Sequence, residues 1–165
     1  MSTILSIDSA TSSGSVALHE DGKMIGIQQY NIDKSHSSLL HVIIEQLIQN
    51  CGITMSDLDA IAVSAGPGSY TGLRIGVSTA KGLCFALEKP LIAINTLEAM
   101  AFQVAKVIPQ QMIFCPMIDA RRLEVYCMIL DQRMSILKET EAVIVTENSF
   151  DKFFLENKIL FFGDG

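Results

Sequence analysis

A chain of 165 residues is long enough to bury a real hydrophobic core, as one compact domain or as two small halves. Its 12 basic and 18 acidic residues leave a net charge of −6, which argues against a broad nucleic-acid-gripping face, so any RNA contact is expected to come through a partner. Hydrophobic residues make up 49% of the chain and mean hydropathy is +0.36, a surplus that predicts apolar surface at an interface.

The chain opens with a short apolar strand, Thr3 to Ile7, ending in Asp8. A polar turn from Ser9 to Gly14 follows, and Ser15 to His19 resumes an alternating strand. Asp21-Gly22 is a strong two-residue hairpin signal, with Lys23 to Tyr30 as the returning strand. Ser37 or Ser38 is the expected cap of the next helix, whose core stripe is Leu40, Ile43, Ile44, Leu47 and Ile48, with Gly52 as its left-handed stop. Leu39 and Val42 widen the apolar surface beyond that stripe. Ile61 to Ala65 reads as a buried strand, broken by Gly66-Pro67-Gly68, and Ser69 can cap a helix from about Tyr70 to Leu87.

That helix shows two stripes. Leu73, Val77, Ala80, Cys84 and Leu87 are expected to face a sheet, and Gly72, Gly76, Thr79, Leu83 and Ala86 form a second line of small or apolar residues. Two glycines in a helix interior cost roughly 1 kcal/mol each relative to Ala, so close approach of another backbone is the expected reason. A partner chain is the preferred occupant of the small stripe, with another helix of the same chain as the alternative. The predicted partner surface is therefore Leu39, Val42, Gly72, Gly76, Thr79 and Leu83.

After Pro90 come a strand at Leu91 to Ile94 and a helix capped by Thr96 and running to about Lys106. Three antiparallel strands followed by parallel crossovers describe the ribonuclease H-like half of an actin-like α/β fold, here residues 1–108. Pro109 marks the expected boundary, and 109–165 reads as the start of a second half of the same kind, incomplete at its end. Its expected strands are Met112 to Ile118, Glu124 to Leu130, Met134 to Glu139, Ala142 to Val145 and Ile159 to Phe162, with a short helix at Phe150 to Glu156. No internal sequence repeat is visible.

The residues offer little independent chemistry. The loop after Gly66 lacks the Gly-Lys-Ser/Thr of a nucleoside-triphosphate loop, and Thr71 stands where a dinucleotide loop needs glycine. Asp8 with Ser9, Thr11, Ser12 and Ser13 could contact phosphate oxygens, though the same residues are what a turn prefers. His36 and His41 are five apart, not the four that places a metal-binding pair on one helix face, and His19 falls on a strand. Asp119, Arg121, Arg122, Glu124 and Tyr126 could clamp an anion, with a salt-bridged turn as the preferred reading. Cys51, Cys84, Cys115 and Cys127 form no CxxC pair and read as small buried apolar residues or as free thiols in a reducing cytosol. With no apolar run long enough for a bilayer and no signal peptide, a cytoplasmic location is expected.

Three stretches, ILSIDSATSSGSVAL near the start, GPGSYTGLRIGVSTAKGL at Gly66 to Leu83 and MIDARRLEVY at Met117 to Tyr126, resemble the TsaB (YeaZ) family in order over nearly the whole chain. The resemblance implies an actin-like fold and a part in making threonylcarbamoyladenosine in tRNA. It implies a heterodimer with a TsaD-like protein through the two N-terminal-domain helices in a four-helix bundle, a TsaE-like ATPase recruited by the pair, and a homodimer when alone. tRNA would be met only through that complex, and no membrane is involved. Members carry a longer second half than this chain. TsaD holds its metal through a paired-histidine helix motif that is missing here, so the expectation is a non-catalytic subunit with no metal. The peptidase label of the wider family finds no matching residues. ATP or ADP would be held only at a site shared with a partner, with Asp8, Ser9, Thr11, Ser12, Arg121 and Arg122 as weak candidate contacts. The rival expectation is an autonomous actin-like ATPase or phosphotransferase built on Asp8 and its turn.

Overall fold

A computed structural model describes residues 1–31, 36–108, 111–154 and 158–165. The chain divides into two compact units, Met1–Ile94 and Asn95–Gly165.

The first unit begins with β1 (Thr3–Asp8), β2 (Ser13–Glu20) and β3 (Lys23–Asn31), followed by α1 (His36–Asn50) and a single 3-10 turn at Met55–Asp57. Then come β4 (Ala60–Gly66), α2 (Tyr70–Leu87) and β5 (Leu91–Asn95). The sheet order is β3-β2-β1-β4-β5, with β1 antiparallel to β2 and parallel to β4. This is the ribonuclease H-like order expected from the sequence. Asp21 and Gly22 both take positive φ, 46° and 77°, which is what a two-residue hairpin turn demands of its central pair.

Leu40, Ile43, Ile44, Leu47 and Ile48 of α1 are all buried, packed in one cluster with Leu5, Ile7, Val16, Leu18 and Ile61 of the sheet. Gly52 closes the helix at φ 71°, its N–H donating to the Gln49 carbonyl. Ser37 and Ser38 lie inside the first turn of α1, and their side chains, with that of His36, fall outside the described set. α2 has the bounds that periodicity predicted, and Ser69 caps it by accepting from Gly72 N–H at 3.3 Å.

The second unit holds α3 (Thr96–Ala105), β6 (Ile113–Arg121), β7 (Glu124–Leu130), β8 (Ile136–Ile144), the short α4 (Asp151–Phe154) and β9 (Ile159–Gly163). Its sheet order, β8-β7-β6-β9, repeats the order β3-β2-β1-β4 of the first unit, with β6 antiparallel to β7 and parallel to β9. Both repeats end their parallel strand on a glycine of positive φ, Gly66 at 111° and Gly163 at 120°. The repeat is one of topology, which is why the sequence does not display it. β6 is buried on both faces. Phe114 and Ile118 join Leu97 and Ala101 of α3, while Ile113, Cys115 and Met117 join Phe150 on the other side.

Three details correct the sequence reading. The boundary falls at 94/95 and not at 108/109, because the buried face of α3 packs with β6 and β7. Pro109 itself lies outside the described residues. Asn95, not Thr96, caps α3, its Oδ1 accepting from Leu97 N–H and Glu98 N–H at 2.9 and 3.3 Å. The two short runs expected around Met134–Glu139 and Ala142–Val145 form one strand, β8, whose pairing with β7 slips near Ile129.

Candidate functional site

The turn after Asp8, a weak candidate for phosphate contact, is a clasp between β1 and α2. Ser9 is fully buried, and its hydroxyl donates to the Gly72 carbonyl at 2.8 Å. The next carbonyl, of Ala10, accepts from Ser69 N–H at 2.6 Å. The turn therefore lies across the N-terminal end of α2, where free amides would otherwise face a ligand. Asp8 is half-buried and accepts from Ala10 N–H at 3.0 Å, while the Thr11 hydroxyl donates to the Ser13 carbonyl at 3.0 Å. Ser12 is exposed. Asp8 also acts on Tyr30: burial, and secondarily the Asp8 carboxylate, push the tyrosine hydroxyl above its ordinary value. Of the turn's candidate contacts, the Ser9 hydroxyl is thus engaged with α2.

The same clasp explains the glycines. A methyl group on Gly72 would overlap the Ser9 carbonyl oxygen, and one on Gly76 would overlap the Ser9 hydroxyl. On Gly68, at φ 154°, it would overlap the Ala10 carbonyl. Gly72, Gly76, Thr79 and Ala80 are the buried residues of α2. This corrects the partner-surface expectation for Gly72 and Gly76, whose missing side chains leave room for Ser9. Close approach does occur at the glycine stripe, but it is made by the chain's own β1–β2 turn, 63 residues away along the sequence.

What α1 and α2 leave outside is a different surface. Val42 is exposed, Leu39 and Leu83 are half-buried against the core, and Tyr70 and Phe85 are 69% and 89% exposed. An open groove of about 570 Å³ lies along α2, lined by His41 of α1 with Arg74, Ile75 and Ser78, and further on by Thr79, Gly82 and Leu83. The exposed line Arg74, Ser78, Lys81 and Phe85 runs at helical spacing beside it. Arg74 stacks over the Tyr70 ring at 4.1 Å. Sequence reasoning missed this line because it followed the glycines, although the spacing 74, 78, 81, 85 was legible.

Arg121 and Arg122 belong to the second unit, at the β6–β7 turn. Both are exposed, with φ of 67° and 55°, and Leu123 continues the left-handed run at 66°. Asp119 shapes this turn by accepting from Arg121 N–H at 2.7 Å. The turn and the Asp8 clasp sit in separate units. His19 is half-buried on β2 and His41 lines the α2 groove. Among the described residues, no three His, Cys, Asp or Glu side chains gather as a metal site. Cys115 and Cys127 are fully buried in the second unit, and a hydrogen bond to Cys127, together with burial, pushes the Cys115 thiol up. No described helix is long and apolar enough to cross a membrane.

The family model of TsaD, tRNA N6-adenosine threonylcarbamoyltransferase, matches residues 16–159. The tRNA threonylcarbamoyladenosine biosynthesis protein TsaB of Haemophilus influenzae is 37% identical over 124 residues, covering 75% of this chain and 52% of that protein. TsaB of Buchnera aphidicola is 30% identical over 166 residues, covering 98% of this chain and 78% of its own length. Among solved structures, YeaZ from Pseudomonas aeruginosa aligns with a TM-score of 0.77 at 31% identity, over 87% of this chain and 67% of that one. The chain spans about half the length of the Haemophilus relative.

Proposed function

The chain belongs to the TsaB (YeaZ) family, an actin-like α/β group tied to tRNA threonylcarbamoyladenosine biosynthesis, and from that premise we propose that it is a non-catalytic subunit supporting a TsaD-like transferase. The partner would move a threonylcarbamoyl group onto the tRNA adenosine beside the anticodon, with a TsaE-like ATPase joining the pair. One observation carries the reading from the chain's own side: α1 and α2 keep an open apolar groove and bare aromatic residues on their outer face after filling the core beneath. Such a face on a chain of net charge −6 suits a protein partner better than direct contact with tRNA phosphates. On this reading ATP or ADP is held only with help from the partner, since Ser9 and Ala10 of the Asp8 turn are already engaged with α2. The same engagement weighs against an autonomous phosphotransferase.

The test is reconstitution with a TsaD-like protein, a TsaE-like ATPase, tRNA, ATP and preformed threonylcarbamoyl-adenylate. Modified adenosine is expected only when this chain and the TsaD-like protein are both present. Turnover of threonylcarbamoyl-adenylate by this chain alone would overturn the subunit reading.

A further inference from the structure

The tip of the β6–β7 hairpin carries long side chains at positions that turn chemistry reserves for small ones. Arg121 pairs with Glu124, which leaves Arg122 and Leu123 as a two-residue loop, and the ladder slips between Asp119 and Arg121. Arg121, Arg122 and Leu123 all take positive φ, 67°, 55° and 66°. Asn, Asp or Gly is the usual choice for such a loop, and Gly for a left-handed bulge position. The β2–β3 hairpin of the same chain follows that rule with Asp21-Gly22. Two arginines and a leucine stand at this tip instead, in a conformation that disfavours L-residues.

The guanidiniums have no task within the chain. Arg121 and Arg122 are exposed, and among the described residues neither makes an ion pair. Asp119 is engaged by the Arg121 N–H at 2.7 Å, so the turn is shaped through the backbone and not by the salt bridges expected from the sequence. A strained tip that keeps two arginines open to solvent points to a contact outside the chain. The planar fork of arginine matches phosphate oxygens, and its charge persists at any working pH.

We propose that Arg121 and Arg122 contact backbone phosphates of the tRNA once this chain is assembled with the TsaD-like protein. The inference rests on the subunit reading above and adds one direct nucleic-acid contact to it. With a net charge of −6 the chain is not the main grip, and the tip positions an RNA held chiefly by the partner. A two-residue loop also has little backbone freedom to lose when it binds.

The experiment measures binding of an unmodified tRNA transcript, from low to high salt, to the preformed complex of this chain with the TsaD-like protein. Four chains are compared: wild type, Arg121→Ala with Arg122→Ala, Arg121→Lys with Arg122→Lys, and Arg133→Ala, which alters an exposed arginine between β7 and β8. The double alanine variant is expected to bind about tenfold more weakly at low salt, and to lower the slope of log affinity against log salt by about 1–2. The double lysine variant should keep most of that slope, and Arg133→Ala all of it. Melting temperature and affinity for the TsaD-like protein should stay near wild type in every variant. An unchanged slope in the double alanine variant would overturn the phosphate contact and leave the subunit reading intact. Two other results in that variant would do the same: weaker assembly with the TsaD-like protein, or weaker ATP binding with tRNA binding unchanged. A wild-type chain that forms no complex with the TsaD-like protein would overturn both.

Discussion

At the scale of single residues, Ser9 sets the fate of the glycine helix. A methyl group at Gly72 meets the backbone carbonyl of Ser9, which cannot move without moving the β1–β2 turn, so Gly72→Ala is expected to cost about 3 kcal/mol in denaturant unfolding. Gly76 meets only the Ser9 hydroxyl, with Ser9 Cβ at 3.4 Å and Val63 Cγ2 at 3.7 Å behind it. Gly76→Ala should therefore cost about 1–2 kcal/mol, after the helix gains from the alanine. Ser9→Ala alone loses the buried hydrogen bond to Gly72, worth about 1 kcal/mol. Combined with Ser9→Ala, the Gly76→Ala change should turn neutral or stabilising, because the obstructing oxygen is gone. A double-mutant cycle checks this, and additive losses would mean that Ser9 is not what excludes a side chain at Gly76. Gly82→Ala, with open space at its Cβ, should instead stabilise the fold by about 1 kcal/mol.

At the scale of elements, two termini carry L-residues in a conformation that glycine adopts without cost. Glu88 ends α2 at φ 54°, and Leu123 sits 91% exposed in the β6–β7 turn at φ 66°. Glu88→Gly and Leu123→Gly should each raise stability by about 0.5–1 kcal/mol by thermal melting, since neither side chain packs in a core cluster. Two carboxylates tie local structure to pH. The Thr54 hydroxyl and N–H donate to Asp57 at 2.7 and 2.8 Å, holding its carboxyl below the usual range. Ser135 N–H and Arg133 N–H do the same for Asp131. A folded-state pKa below the unfolded one means the stabilisation is complete above the unfolded value, about 3.9 for Asp, and disappears as pH falls through that value towards the folded one. Melting temperatures followed from pH 7 to pH 3 should fall less steeply below about pH 4.5 in Asp57→Asn and Asp131→Asn than in the parent. Parallel curves would assign the acid sensitivity to other groups.

At the scale of the whole molecule, the proposed role makes the outer face of α1 and α2 more sensitive to substitution than the arginine turn. Arg121→Ala and Arg122→Ala change exposed residues in a surface turn and should shift stability by only a few tenths of a kcal/mol. Tyr70→Ala or Phe85→Ala should leave the melting temperature near that of the parent and weaken association, measured by sedimentation with the TsaD-like protein. Much of this architecture was legible in the sequence alone. The hairpin at Asp21-Gly22, the buried stripe of α1, the bounds and cap of α2 and the order of the strands all follow from turn chemistry and hydrophobic period, which act over a few residues. The tertiary structure decided the rest. Which side of α2 the glycines face depends on Ser9, 63 residues earlier, and the side to which α3 belongs depends on Phe114 and Met128 of a later sheet. Those contacts bring distant segments together through packing and buried hydrogen bonds, and no local period records them, so a stripe of small residues could signal close approach without revealing what approaches.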